Sequence, residues 1–201
     1  MKRLAALFLL ALASVFPAFA TSVLPMDLDQ MVAASAVAFD GTCTGNRTGR
    51  DPVSNLIVTY TTFAVHDVLK GDVGATYEIK QIGGALPNGL QHHVEGVPRF
   101  AVGQEYVVLL PQASSGGFSS PVGLSQGQFT VTQTEKGATV SNGRDFREMT
   151  STIPSEQLPG DLQTQTKRAT GPVRQLDLSE FKQLVRNRAG PATRAPTGVA
   201  Q

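Results

Sequence analysis

Cysteine occurs once, at Cys43. No disulfide can therefore close within one chain, and zinc held by a cysteine cluster is excluded, so the core must hold the fold. Cys43 sits among Gly41, Thr42, Thr44 and Gly45, with no basic residue or histidine beside it to lower its pKa. It reads as a buried, inert thiol, with a bridge between two chains as the alternative. An excess of either charge is also missing, with 17 Lys and Arg against 16 Asp and Glu. Without Lys2 and Arg3 the balance tips to one net negative charge, which gives nucleic acid or an anionic membrane no bulk attraction.

Long apolar runs are absent after the first twenty residues. Those twenty combine a basic start (Lys2, Arg3), an apolar stretch from Leu4 to about Val15, and Phe16-Pro17-Ala18-Phe19-Ala20 with small residues one and three before a cut. This is the three-part pattern of a cleavable export signal. A spanning helix needs about 20 apolar residues, and Pro17 interrupts the run too early. No cysteine follows Ala20 to take a lipid, and Lys2-Arg3 is not a twin-arginine signal. The expected product starts at Thr21, has no membrane span after cleavage, and lies in the periplasm or is secreted. Its length suits one domain with appendages.

Alternation of strands with helices is missing too, and what stands in its place is a run of strands. Asp27, with Gln30 three residues on, predicts a capped helix over 27–35. A strand follows over 36–42, and Gly45, Asn46, Gly49, Asp51 and Pro52 predict an exposed loop over 45–54. Residues 55–69 and 76–82 are rich in β-branched and aromatic side chains and read as a hairpin turning at Lys70-Gly71-Asp72. Residues 99–111 hold a largely apolar run, Gln104 to Leu110, that fits a strand buried on both faces and stopped by Pro111. Residues 122–134 and 138–141 read as a final meander. The fold class is mainly β: a small antiparallel barrel of the oligonucleotide/oligosaccharide-binding (OB) type, or a curled sheet, of five to six strands over 21–143. A β-sandwich is the alternative.

Residues 144–176 are polar, lack periodicity and read as a linker or draped segment. Asp177 with Glu180 predicts a capped helix over 177–189, its apolar face being Leu178, Phe181, Leu184 and Val185. Residues 190–201 are expected to be a disordered tail.

Three histidines and one serine motif offer chemistry. Gly123-Leu124-Ser125-Gln126-Gly127 has the pattern of a hydrolase nucleophile elbow, but strand-like residues follow where that motif needs a helix, and no histidine lies C-terminal to Ser125. It reads as a turn or bulge where a strand begins. His92-His93 with Glu95, and His66 elsewhere, carry ligand atoms for zinc or copper. Neighbours in an extended chain point to opposite sides, so they read as solvated histidines. No catalytic residue, metal or cofactor is assigned. Gly83-Gly84, Gly89 and Gly96-Val97-Pro98 bracket a long loop between two strands, and such loops carry function disproportionately. Gly83, Gly84, His92, His93, Glu95 and Arg99 are the candidate binding residues.

Three blocks carry a resemblance: Thr61 to Gly71 (TTFAVHDVLKG), Val102 to Leu110 (VGQEYVVLL) and Val122 to Phe129 (VGLSQGQF), with Gln81-Ile82-Gly83-Gly84 and Gly96 to Phe100 between them. In this order they resemble a group of bacterial exported, uncharacterised proteins, over about residues 26–135 and again in the closing helix. The first two blocks also resemble netrin-like and tissue-metalloproteinase-inhibitor barrels, which implies an OB-type fold. Those inhibitors act through an N-terminal cysteine, which this chain lacks. The function expected is a non-enzymatic binding or structural protein of the cell envelope or secreted fraction, with a protein or glycan partner. An extracytoplasmic hydrolase, serine- or metal-dependent, is the alternative.

Overall fold

A computed structural model describes residues 24–168 and 171–190. The expected export signal over 1–20 and, Gly190 apart, the tail lie outside the described residues. Helix α1 (Leu28–Ala34) starts at Asp27, whose carboxylate accepts from the Gln30 amide while the Gln30 side chain accepts from the Asp27 amide. This reciprocal cap satisfies two donors that a helix start otherwise leaves unpaired.

Strands β1 (Val37–Arg50) and β2 (Ile57–Lys70) form one long antiparallel hairpin, so the loop predicted over 45–54 is corrected: strand continues to Arg50. Gly45 and Gly49 lie on an open face and pair with Thr62 and Val58, which makes turn-forming residues tolerable there. The chain reverses at 51–56, where Asn55 takes the left-handed conformation. Asp51, buried at this reversal, accepts from the Ser54 amide and hydroxyl and pairs with Lys80. Those partners, Lys80 foremost, hold its carboxyl well below the usual carboxylate range.

A carboxyl depressed in the folded state contributes stability above its unfolded pKa, about 3.9, and loses it as pH falls further. Urea midpoints measured from pH 7 to pH 2 are therefore expected to drop more steeply below pH 4 in the wild type than in Asp51→Asn. The variant should be the less stable of the two at pH 7. Parallel curves would refute the assignment.

β3 (Thr76–Ile82) pairs with β2; β4 (Gly84–Ala85) and β5 (Gln91–His92) form a small separate hairpin. β6 (Glu105–Leu110) returns beside β1, followed by β7 (Gln128–Thr134), β8 (Gly137–Ser141) and β9 (Leu176–Asp177). The main sheet has seven strands in the order β3-β2-β1-β6-β7-β8-β9. The protein is mainly β; among the described residues no closed barrel forms, and the strands exceed the five to six expected of a barrel or curled sheet. Three of them, β4, β5 and β9, span two residues each, too short for any alternation pattern to announce them.

Strand β6 is covered on both faces. Tyr106, Val108 and Leu110 join Phe39, Cys43, Phe63, Ile79 and Phe100 in one buried cluster. Val107 and Leu109 join Phe129, Val131 and Val140 in another, which helices cover. Cys43 is a buried free thiol, and burial pushes its pKa up.

The helical cover comes partly from the segment read as a linker. Residues 144–176 hold α2 (Phe146–Met149), a 3-10 turn (Ser155–Gln157) and α3 (Gly160–Arg168), and bury Phe146, Met149, Ile153, Leu162, Val173 and Leu176. Helix α4 (Leu178–Ala189) is capped by Asp177 and buries Phe181, Leu184 and Val185. The Phe181 ring lies 4.5 Å from Phe129 and 5.8 Å from Phe146. Glu180 does not complete the predicted reciprocal cap. Its carboxylate instead accepts from the Asp161 amide in the first turn of α3, where an acidic group also suits the helix dipole.

Candidate functional site

The loop expected to bind lies over the far end of the β1–β2–β3 sheet. Between Gly83 and Phe100 it encloses a cavity of about 170 Å³, with Asn46, Thr48, Thr59, Thr61 and Gln81 of the three strands on one side. Val94, Val97, Pro98 and Phe100 of the loop face them. Wider depressions elsewhere, such as the one between the 134–139 turn and Gln165, are less enclosed.

Hydrogen bonds from the strands pin both ends of the loop. The Thr59 hydroxyl donates to the Gly83 carbonyl at 2.7 Å. Thr61 donates to the Asn46 side-chain oxygen at 2.7 Å, and the Asn46 amide donates to the Phe100 carbonyl at 2.7 Å. Gln81 reaches the Pro98 carbonyl at 3.2 Å and the Ser120 hydroxyl at 3.3 Å. Thr48 and Thr59 face each other across the hairpin, their hydroxyls 3.2 Å apart. A loop so held has little ordering entropy left to lose on binding a ligand.

Of the six residues singled out from sequence, Gly83, His92 and Arg99 line this cavity. Gly84 stands behind it: a Cβ there would fall 2.5 Å from both Thr48 Cγ2 and Thr59 Oγ1, and its φ of +141° suits only glycine. His93 and Glu95 pair with each other at 2.9 Å on the exposed outer side. The segment is also more ordered than a plain loop, because Gly84 and Ala85 pair with His92 and Gln91.

The cavity wall on β1–β3 has no counterpart in the sequence reading. Asn46 and Thr48 lie within 45–54, where turn-forming residues predict a loop, and Thr59, Thr61 and Gln81 look like ordinary strand residues. Thr59 and Thr61, polar positions between Ile57 and Phe63 on one side of a strand, were the available signal; Asn46 and Thr48 carried none.

The three histidines do not converge. His66 lies seven residues along β2 from Thr59, about 23 Å at the usual strand rise, and contacts Thr42 and Glu105 instead. Ser125 occupies an exposed turn before β7, and among the described residues no histidine hydrogen-bonds it. That geometry supplies no base for a nucleophilic serine.

No family model matches the chain, and no curated protein matches it. Among the described residues no helix is long and apolar enough to cross a membrane.

Proposed function

We propose that this chain is an exported, non-enzymatic binding module of the periplasm or secreted fraction, and that it takes one sugar-sized, uncharged polyhydroxyl group of a glycan into the cavity beneath residues 83–100. The lining carries the reading. Three threonines, an asparagine and a glutamine face loop apolar groups across a space fit for a single ring, with His92 and Arg99 beside them. Hydroxyl and amide groups fixed by their neighbours suit a ligand that both donates and accepts hydrogen bonds.

The same reading takes strands β1, β2, β3 and β6 as the curled, OB-like half of the molecule, related to netrin-like barrels. A parallel bridge between Lys80 and Phe118, which brings the chain after β6 against the edge of β3, supports it. The Lys80 ammonium reinforces that bridge by donating to the Gly116 carbonyl at 2.8 Å.

Purified protein on an array of neutral oligosaccharides is expected to select a subset. Thr48→Phe, which fills the cavity from a partly exposed strand position, should weaken that binding at least about tenfold, with circular dichroism establishing that the variant keeps the fold. A silent array, or binding indifferent to Thr48→Phe, would defeat the proposal. Capture of a protein partner that competes for the same cavity would replace the glycan with a peptide ligand.

A further inference from the structure

At the opposite end of the β1–β2 hairpin three acceptor groups from three strands face one another. One carboxylate oxygen of Asp40, one ring nitrogen of His66 and one carboxylate oxygen of Glu105 lie within 4.8 Å of each other. β1 is irregular here, its register against β2 shifting between Asp40 and Gly41, and such bulges re-aim side chains. The Ala64 carbonyl packs where a Cβ of Gly41 would stand, 2.6 Å away.

Three features separate this cluster from an ordinary surface ion pair. Asp40 is 2% exposed, and its Oδ1 is buried without a hydrogen-bond partner among the described residues, while Oδ2 accepts from Lys182 at 2.8 Å. An unpaired buried carboxylate oxygen is costly, which makes a missing partner the natural explanation. Next, His66 Nδ1 stands 3.4 Å from Glu105 Oε1. That is long for a hydrogen bond, yet close to the roughly 3.3 Å between ligand atoms of a tetrahedral ion with bonds of about 2.0 Å. Finally, the groups behind the ligands are in place. Thr42 Oγ1 lies 3.3 Å from His66 Nε2, and Gln133 donates to Glu105 Oε2 at 3.2 Å. In the tautomer whose Nε2–H donates to Thr42 Oγ1, Nδ1 presents a lone pair beside the two carboxylates, an arrangement suited to a bound cation.

We propose that Asp40, His66 and Glu105 form a binding site for a divalent first-row transition ion, with zinc as the fitting representative of an imidazole and two carboxylates. His66 is exposed and Glu105 partly so, leaving a path for the ion to enter. Bound there, the ion ties β1, β2 and β6 together beside Lys182 of α4. The site is independent of the cavity at the other end of the hairpin.

The test is titration of purified, EDTA-stripped protein with zinc chloride, followed by calorimetry and metal analysis. One zinc per chain at micromolar concentration is expected. His66→Ala and Glu105→Gln, both at accessible side chains, should each weaken uptake at least about tenfold, while His93→Ala, at the only other histidine–carboxylate pair among the described residues, should leave it unchanged. Circular dichroism would establish that the variants keep the fold. Absence of stoichiometric uptake, uptake that survives both His66→Ala and Glu105→Gln, or uptake lost in His93→Ala would overturn the proposal.

Discussion

Lys182→Met is expected to cost about 3–5 kcal/mol of folding stability at pH 7.5, read as a shift of the urea midpoint with an unchanged slope. The Lys182 ammonium reaches Asp40 at 2.8 Å and Asp67 at 2.6 Å from α4, and thereby links the last helix to β1 and β2. Burial pushes the Asp40 carboxyl up, and Lys182 opposes that push. Methionine keeps most of the stem's packing but removes the charge, leaving in EDTA-stripped protein a carboxylate buried beside Glu105 with nothing to balance it. Removing one partner of a buried pair is far more damaging than replacing both by apolar groups. Asp40→Asn combined with Lys182→Met should therefore recover much of the loss, and a double variant as unstable as the single one would contradict this account of the pair.

Phe63→Ala is the second large effect, about 3–5 kcal/mol. Phe63 is fully buried at the centre of an aromatic cluster, its ring 5.4 Å from Phe39, 4.9 Å from Phe100 and 6.5 Å from Tyr106, in edge-on arrangements. Truncation leaves a void among groups that cannot close over it, and it also removes the edge contacts that aromatic pairs prefer. Because Phe100 supports both this cluster and the cavity wall, ligand binding should weaken along with stability. Phe63→Leu should show a smaller loss in each. A fall below about 1 kcal/mol for Phe63→Ala would mean that this side of β6 is loosely packed.

How far each part was legible in the sequence follows from how local its cause is. Helix α1 and the start of α4 declare themselves through capping aspartates and apolar spacing, since a cap involves residues two or three apart. β6 was legible because Tyr106 to Leu110 is apolar on both faces. The end of β1 was not: Gly45, Asn46 and Gly49 carry turn chemistry, and only the partner β2 holds them extended. Likewise Phe146, Met149 and Ile153 keep the i, i+3, i+7 spacing of a helix face, but the pattern stops at Pro154 in a polar segment, too short to announce the burial it finds in the core beside Phe129 and α4.

The sites divide in the same way. Glycines at 83, 84, 89 and 96 marked a special loop, and all four take positive φ. The opposing wall of hydroxyls and amides, and the meeting of Asp40, His66 and Glu105, depend on strand pairing between residues distant in sequence. No spacing rule reaches that far.

The central claim is that the space beneath residues 83–100 is where this protein meets its ligand. Backbone amide shifts recorded while the 15N-labelled protein is titrated with the best array sugar test it directly. Saturable shifts concentrated at Asn46, Thr48, Thr59, Gln81, Gly83 and Val97 are the predicted result. Shifts confined to other surfaces, with these amides unmoved at saturation, would contradict it.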